Sequence, residues 1–290
     1  MIERRGTAVP ARDARASDAQ ALVTLRADDG ATAEVHHHGA HVTSWRPAPD
    51  GEERLYLSGA SEYGPGSAIR GGIPVIFPQF STEGPLPRHG FARTTDWAVG
   101  GVGRSSNGMA EADFVLRDST ETRIILNASF AAVISVRVVG ARLAVTLAVE
   151  NVGETPFAFT AALHTYLRVS DVSNVRVVGL HGTRYRGPGS RALVRDESES
   201  VIVGDYLERV YVGAPPRIDL HDGERSLSII SEGFPDAVLW NPGAERAAAV
   251  PDIEPGGERR FLCIEAGAIQ SPVELLPFRR WSGTQTLVAH

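Results

Sequence analysis

Two stretches of this chain set a titratable side chain on a strand face that is otherwise apolar or built of small residues. In FAFTAALHTYLRV, residues 157–169, Phe157, Phe159, Ala161 and Leu163 alternate with Ala158, Thr160, Ala162, His164 and Tyr166. Period two is the signature of a strand. His164 then points away from the bulky apolar face, among small neighbours that leave room. A histidine so placed either bonds a neighbouring strand or transfers protons. In RRFLCIEAGAIQ, 259–270, Glu265 shares a face with Phe261 and Cys263 and precedes Ala266-Gly267-Ala268. A poorly solvated carboxylate has a raised pKa, which suits a general base near neutral pH. A buried ion pair with an arginine is the structural alternative.

A third stretch, SAIRGGIPVIFPQFSTEGPLPRHGFART, 67–94, holds Arg70, Gln79, Arg88, His89 and Arg93 between glycines and prolines. Such a segment has little helical or central-strand future. It concentrates fixed turns and polar donors, as binding loops on rigid scaffolds do. Guanidinium forks match phosphate oxygens; a surface loop with solvated arginines is the plainer reading. All 29 basic residues are arginine, so Schiff-base, pyridoxal-phosphate and P-loop lysine chemistry is excluded. The run His36-His37-His38 with His41 invites a metal reading. Alternation splits His37 from the other two, and no Cys, Asp or Glu stands at a ligand spacing nearby, so no metal is expected.

The elements that must position these residues are strands. Leu143, Val145, Leu147 and Val149 alternate with small residues, and Ile134, Val136 and Val138 do so one strand earlier, with Val-Gly at 139–140 closing the hairpin. Further runs stand at 22–26, 41–46, 73–77, 122–127, 174–179, 216–220, 226–230, 236–240 and 259–265. Turn residues separate them, as at Asp-Gly 222–223 and Pro-Gly-Gly 255–257. No long helical period, repeat or linker appears. The expected fold is all-β, with two large packed antiparallel sheets in a single domain over 21–290, preceded by a flexible N-terminal tail over 1–20.

Apolar residues make up 42% of 290, a globular composition. The net charge of −6 without an arginine-dominated segment argues against nucleic acid or an anionic membrane as partner. Cys263 is the single cysteine, which fits a reducing cytoplasm. The first twenty residues lack the apolar core of a signal peptide, and no stretch approaches the ~18 apolar residues of a membrane span.

Taken in order, AIRGGIPVIFPQF, RHGFARTTDW, ALHTYLRVSD, VVGL at 177–180, PDAVLWNPG and LCIEAGAI resemble the hexose-6-phosphate mutarotases, the glucose-6-phosphate 1-epimerases of the aldose 1-epimerase superfamily. The similarity runs from about residue 35 to about 287, including a final strand with Trp281. The resemblance implies a galactose mutarotase-like β-sandwich, His164 as general acid and Glu265 as general base. It also implies Arg70, His89 and Arg93 around a sugar phosphate, with Gln79 near them. Two departures stand out. The family's hydroxyl-binding acidic residue, usually Asp, falls at Glu208 in Leu207-Glu208-Arg209-Val210-Tyr211, one methylene longer, and Asp205 is the other candidate. Tyr185 is followed by Arg186-Gly187-Pro188-Gly189 where the family has an Asp-Lys-like pair; a solvated loop arginine is expected there.

The chemistry so implied interconverts the α and β anomers of a hexose 6-phosphate by ring opening. It needs one acid, one base, and no cofactor, metal or covalent intermediate. The expected partner is a small sugar phosphate, and the chain is expected to act as a monomer. Three rivals remain: the same chemistry on free or otherwise anionic hexoses, a non-catalytic carbohydrate-binding sandwich, and a glycosidase pairing Glu265 with Asp236.

Overall fold

The computed structural model describes residues 22–64 and 66–290, so the expected tail over 1–20 lies outside the described residues. The strands are β1 (Leu22–Arg26), β2 (Thr32–His36), β3 (His41–Arg46), β4 (Val75–Ile76), β5 (Ala98–Arg104), β6 (Ala110–Arg117), β7 (Phe130–Val139), β8 (Arg142–Asn151), β9 (Phe157–Leu163) and β10 (Tyr166–Arg168). They continue with β11 (Arg176–Val178), β12 (Arg184–Arg186), β13 (Val194–Arg195), β14 (Leu207–Val212), β15 (Arg217–Asp222), β16 (Arg225–Glu232), β17 (Asp236–Asn241), β18 (Phe261–Leu275) and β19 (Arg280–Ala289).

These strands form two large antiparallel sheets and one small one. The first large sheet runs β13-β12-β14-β17-β18-β9-β4, with β10 also paired to β18; the second runs β11-β15-β16-β19-β8-β7-β6-β5; β1-β2-β3 stand apart. The alternation read in the sequence is what faces them together. Phe130, Ala132, Ile134, Val136 and Val138 of β7 and Leu143, Val145, Leu147 and Val149 of β8 share one buried cluster with Phe159, Ala161 and Leu163 of β9 and Leu262, Ile264 and Ala266 of β18. Gly140, with φ +56°, takes the left-handed conformation that the tight β7–β8 turn needs.

The first sheet is buried on its outer face as well. Phe261, Cys263 and Tyr166 form one outer cluster, and Ile76, Phe80, Ala162, Val210, Val238 and Ile269 form another. This second buried face carries the site.

Several sequence expectations need correction. Residues 122–127 are not a strand. Thr120–Ile125 is helix α1, because Ser119 caps it: its Oγ accepts from the Thr122 N–H and its own N–H donates to Thr122 Oγ1 at 2.8 Å. That reciprocal cap outweighs the β preference of the Ile-Ile-Leu run. The run at 73–77 is a strand only over Val75–Ile76, with isolated bridges from Ile73 to Val42 and from Phe77 to Gly90, and 174–179 only over Arg176–Val178. The long strand expected over 157–169 is interrupted at His164-Thr165. Thr165 Oγ1 donates to the buried Gln285 side chain of β19, whose Nε2 donates to Ile264 O at 3.0 Å. A polar pair sealed between the sheets holds the interruption in place.

Candidate active site

Strand register brings the candidate acid and base together. β18 pairs β17 with Glu265 opposite Val238, β17 pairs β14 with Trp240 opposite Glu208, and β10 pairs β18 with Tyr166 opposite Cys263. Glu208, Val238, Trp240 and Glu265 therefore share the outer face of the sheet, and the interruption after β9 turns His164 onto them. His164 Nε2 stands 3.4 Å from Glu265 Oε1. That is longer than the ~2.7–2.9 Å of a strong charge-assisted bond, so neither group is locked onto the other. Glu265 Oε2 and His164 Nδ1 have no protein partner.

Burial governs the protonation of both. It pushes the Glu265 carboxyl well up, and Glu208 adds to the rise. It pushes the His164 imidazole well down, reinforced by His89, Arg70 and Arg93. Both side chains are thus drawn toward their neutral forms.

A cleft of about 190 Å³ lies above this pair. That is smaller than the ~300–1,000 Å³ of a site for a drug-sized ligand, and it suits one small polar molecule. The 67–94 segment supplies one wall. Arg70, Arg88, His89 and Arg93 all line the cleft, facing Glu208 across it. Arg70 is already engaged, with Nη2 3.1 Å from Asp252 Oδ2 and Nη1 donating to the Tyr166 hydroxyl at 2.8 Å. Arg93 and Arg88 have no carboxylate partner among the described residues, and the Arg93 Nε–H is buried without an acceptor. Burial holds the Arg93 guanidinium down at about 10, still charged at neutral pH. His89 sits at φ +64°, and its Nδ1 accepts from the Ser81 N–H at 3.2 Å. Burial and the three arginines press its pKa to about 3, so it is a neutral ring with one N–H to offer. The next residue, Gly90, has φ +67°, and a Cβ there would lie 2.1 Å from Phe77 O. Only glycine lets the loop approach the scaffold so closely.

Three expected contacts do not reach the cleft. Gln79 is buried, and its amide is consumed by its own loop: Nε2 donates to Leu86 O at 2.8 Å and Oε1 accepts from the Leu86 N–H at 2.9 Å. Its amide fastens the 79–86 turn, whose backbone groups would otherwise lack partners. Asp205 is exposed and does not line the cleft, so of the two acidic candidates Glu208 is the one in position, accepting from the Tyr206 hydroxyl. Asp236, the possible second carboxylate of a glycosidase, accepts from the Ile269, Gln270 and Gly213 N–H groups at 2.9, 2.8 and 3.2 Å. It closes an irregularity of β18 and does not face Glu265 across the cleft.

Arg88 was read in the sequence only as one polar residue of the loop. Its position on the cleft follows from the turn at His89-Gly90, which no local pattern specifies. Arg186, expected to be solvated, is buried and grips both carboxylate oxygens of Glu83 at 2.9 and 2.6 Å. It lines a second cavity of about 600 Å³ further along the sheet, which contains neither the acid nor the base. In the histidine run, His38 bridges Asp96 and Ser67 O, and His41 donates from Nε2 to Gly71 O at 2.7 Å. Among the described residues no three His, Cys, Asp or Glu side chains are grouped to hold a metal.

Comparison with known proteins identifies the family and the fold. The aldose 1-epimerase family model matches residues 21–287. A protein named "Putative glucose-6-phosphate 1-epimerase" from Cenchrus ciliaris is 34% identical over 277 residues, 92% of this chain and 84% of that protein. Its namesake from Escherichia coli K12 is 35% identical over 238 residues, 78% and 76% of the two chains. The crystal structure described as a putative mutarotase from Salmonella typhimurium superposes with a TM-score of 0.84 at 28% identity, covering 92% of this chain and 90% of that one.

Proposed function

The chain belongs to the aldose 1-epimerase family, and from that premise we propose that it interconverts the α and β anomers of hexose 6-phosphates, with His164 and Glu265 as its proton-transfer pair. The observation that carries the reading is the 3.4 Å separation of His164 Nε2 and Glu265 Oε1 beneath a cleft bordered by three arginines.

Ring opening requires one proton delivered to the ring oxygen and one taken from the C1 hydroxyl. Starting from imidazolium and carboxylate, His164 donates, Glu265 accepts, and the pair ends as neutral imidazole and carboxylic acid. The total number of protons on the pair is unchanged. The open-chain aldehyde then rotates about C1–C2, and the reverse transfers close the ring on its other face. The surroundings favour the neutral forms of both groups, which is the state that accompanies the open chain. Burial therefore lowers the energy of the intermediate relative to the cyclic sugars, a differential stabilisation of the kind that accelerates a reaction. No step needs a Lewis acid or a covalent adduct.

Arg88 and Arg93 suit a phosphate dianion, being guanidinium groups without a carboxylate partner. A bound dianion would also offset the positive charges that depress His164, and so favour the imidazolium the first step needs. Glu208 suits a sugar hydroxyl on the opposite wall. In an assay of α/β equilibration of glucose 6-phosphate by one-dimensional NMR or polarimetry, His164→Ala and Glu265→Ala should each lower kcat by roughly 10²–10⁴ with the fold intact. Near-parental rates from either folded variant would remove this pair from the reaction. No equilibration by the parent on any aldose would favour a binding protein.

A further inference from the structure

We propose that Tyr166 is the positioning residue for the His164 imidazole, holding by ring stacking a ring plane that no hydrogen bond from another residue fixes. The inference rests on the reading of His164 as a proton-transfer group. A histidine that moves protons through one ring nitrogen is ordinarily oriented by a partner on the other. Here the other nitrogen, Nδ1, is buried and finds no partner on any other residue. The Cβ–Cγ torsion of histidine is broad, so without a restraint the ring plane could swing and carry Nε2 off its line to Glu265 and the cleft.

The restraint is aromatic. Tyr166 lies two residues on, beyond the interruption at Thr165. Its ring is nearly parallel to the imidazole, with centroids 4.8 Å apart and planes inclined by 10°. Trp240 meets the imidazole edge-on at 5.7 Å and 84°. Tilting the imidazole out of this plane would forfeit the stack and drive its edge into the phenol ring. Tyr166 is itself immobilised: it is fully buried, packs on Phe261 at 5.0 Å, and its hydroxyl accepts from Arg70, which Asp252 holds in turn. The chain from Asp252 through Arg70 and Tyr166 thus ends on the plane of the imidazole.

The phenyl ring and the hydroxyl have separable consequences. Tyr166→Phe keeps the stack and frees Arg70, so kcat for glucose 6-phosphate should stay within about 3-fold while KM rises. Tyr166→Leu removes the stack. Misplacing a reacting group by ~1 Å costs on the order of 10² in rate, so kcat should fall about 100-fold, with the same rise in KM that Tyr166→Phe shows. The decisive measurement is the double variant. In a His164→Ala background there is no ring left to orient, and Tyr166→Leu should lower kcat by less than about 2-fold, the non-additivity expected of residues acting as a unit. A merely structural tyrosine would instead add its full loss in both backgrounds, and that result would overturn the proposal. So would a Tyr166→Phe variant as slow as Tyr166→Leu. Should Tyr166→Leu fail to fold, Tyr166→Met, longer and more adaptable in a core, carries the same expectations. If His164→Ala alone keeps the parental rate, it is the acid–base reading that fails; if His164→Ala is slow and Tyr166→Leu is not, only the positioning role fails.

Discussion

The arginines of the cleft differ in what already holds them, and that difference predicts their separate effects. Arg70 and Arg93 both carry a buried Nε–H without an acceptor, but Arg93 has no carboxylate partner among the described residues, whereas Arg70 is bound to Asp252 and to Tyr166. A contact made equally in ground and transition states acts on KM and not on kcat. Losing a charge-assisted phosphate contact of ~1.5–3 kcal/mol should raise KM by roughly 10- to 150-fold. Arg93→Ala and Arg88→Ala should show that rise for glucose 6-phosphate and a much smaller one for glucose. Arg70→Ala should depress kcat as well, since its removal leaves the Asp252 carboxylate without its partner. Steady-state kinetics on both sugars separates the three. Equal losses on phosphorylated and free sugar from Arg88→Ala and Arg93→Ala would mean that these residues do not read the phosphate.

At the scale of elements, the wall between the 190 Å³ cleft and the 600 Å³ cavity is the segment after β4. Phe80 and Ser81 face the first, while Thr82, Glu83 and Gly84 face the second. Arg186 of β12 fastens this segment through both oxygens of Glu83 and is itself braced by Gln270 of β18 at 3.1 Å. Because Ser81 N–H also donates to His89, slackening at Glu83 should reach the cleft. Coupling energies between such neighbours are ~0.5–3 kcal/mol. Glu83→Ala is therefore expected to raise KM for glucose 6-phosphate several-fold, leave the urea midpoint close to the parent, and speed proteolysis over 82–88. An unaltered KM beside a lowered midpoint would show that the grip serves stability alone.

For the whole molecule, buried titratable groups set the pH response of the fold. His41 and His89 are held neutral, each with a pKa of about 3, chiefly by burial. Unfolded, each binds a proton below about pH 6.5. Between these values the unfolded chain carries more protons, so stability falls as pH falls. From pH 7.5 to 5.0 each imidazole should cost about 2 kcal/mol, at ~1.4 kcal/mol per pH unit below 6.5. Glu265 acts in the opposite sense. Its raised carboxyl keeps a proton that the unfolded chain releases above its ordinary value of 4.5, so it costs stability as pH rises. Urea midpoints should therefore drop between pH 7.5 and 5.0, less steeply in His89→Gln and more steeply in Glu265→Gln. A pH dependence in His89→Gln as steep as in the parent would contradict the neutral burial of that ring.

Alternation along 143–149 and 157–163 was enough to specify strands and their buried faces, because a period of two assigns each side chain to one side of a sheet whatever its partner. The same rule put His164, Tyr166 and Glu265 on outward faces, and residue order alone carried the family resemblance. Where those faces meet depended on pairing between distant strands: Val238 opposite Glu265, and Tyr166 opposite Cys263. No local pattern encodes such pairs. Tertiary contacts likewise decided what the loops do. Gln79 and Asp236 looked available for a ligand in the sequence and Arg186 looked solvated, yet all three are spent on backbone groups or on Glu83, since buried polar atoms must find partners. The interruption that aims His164 depends on Gln285, 120 residues away. The sequence thus determined the reactive residue types and their faces; the distance of 3.4 Å between acid and base, and which arginines remain free to meet an anion, exist only once both sheets have closed.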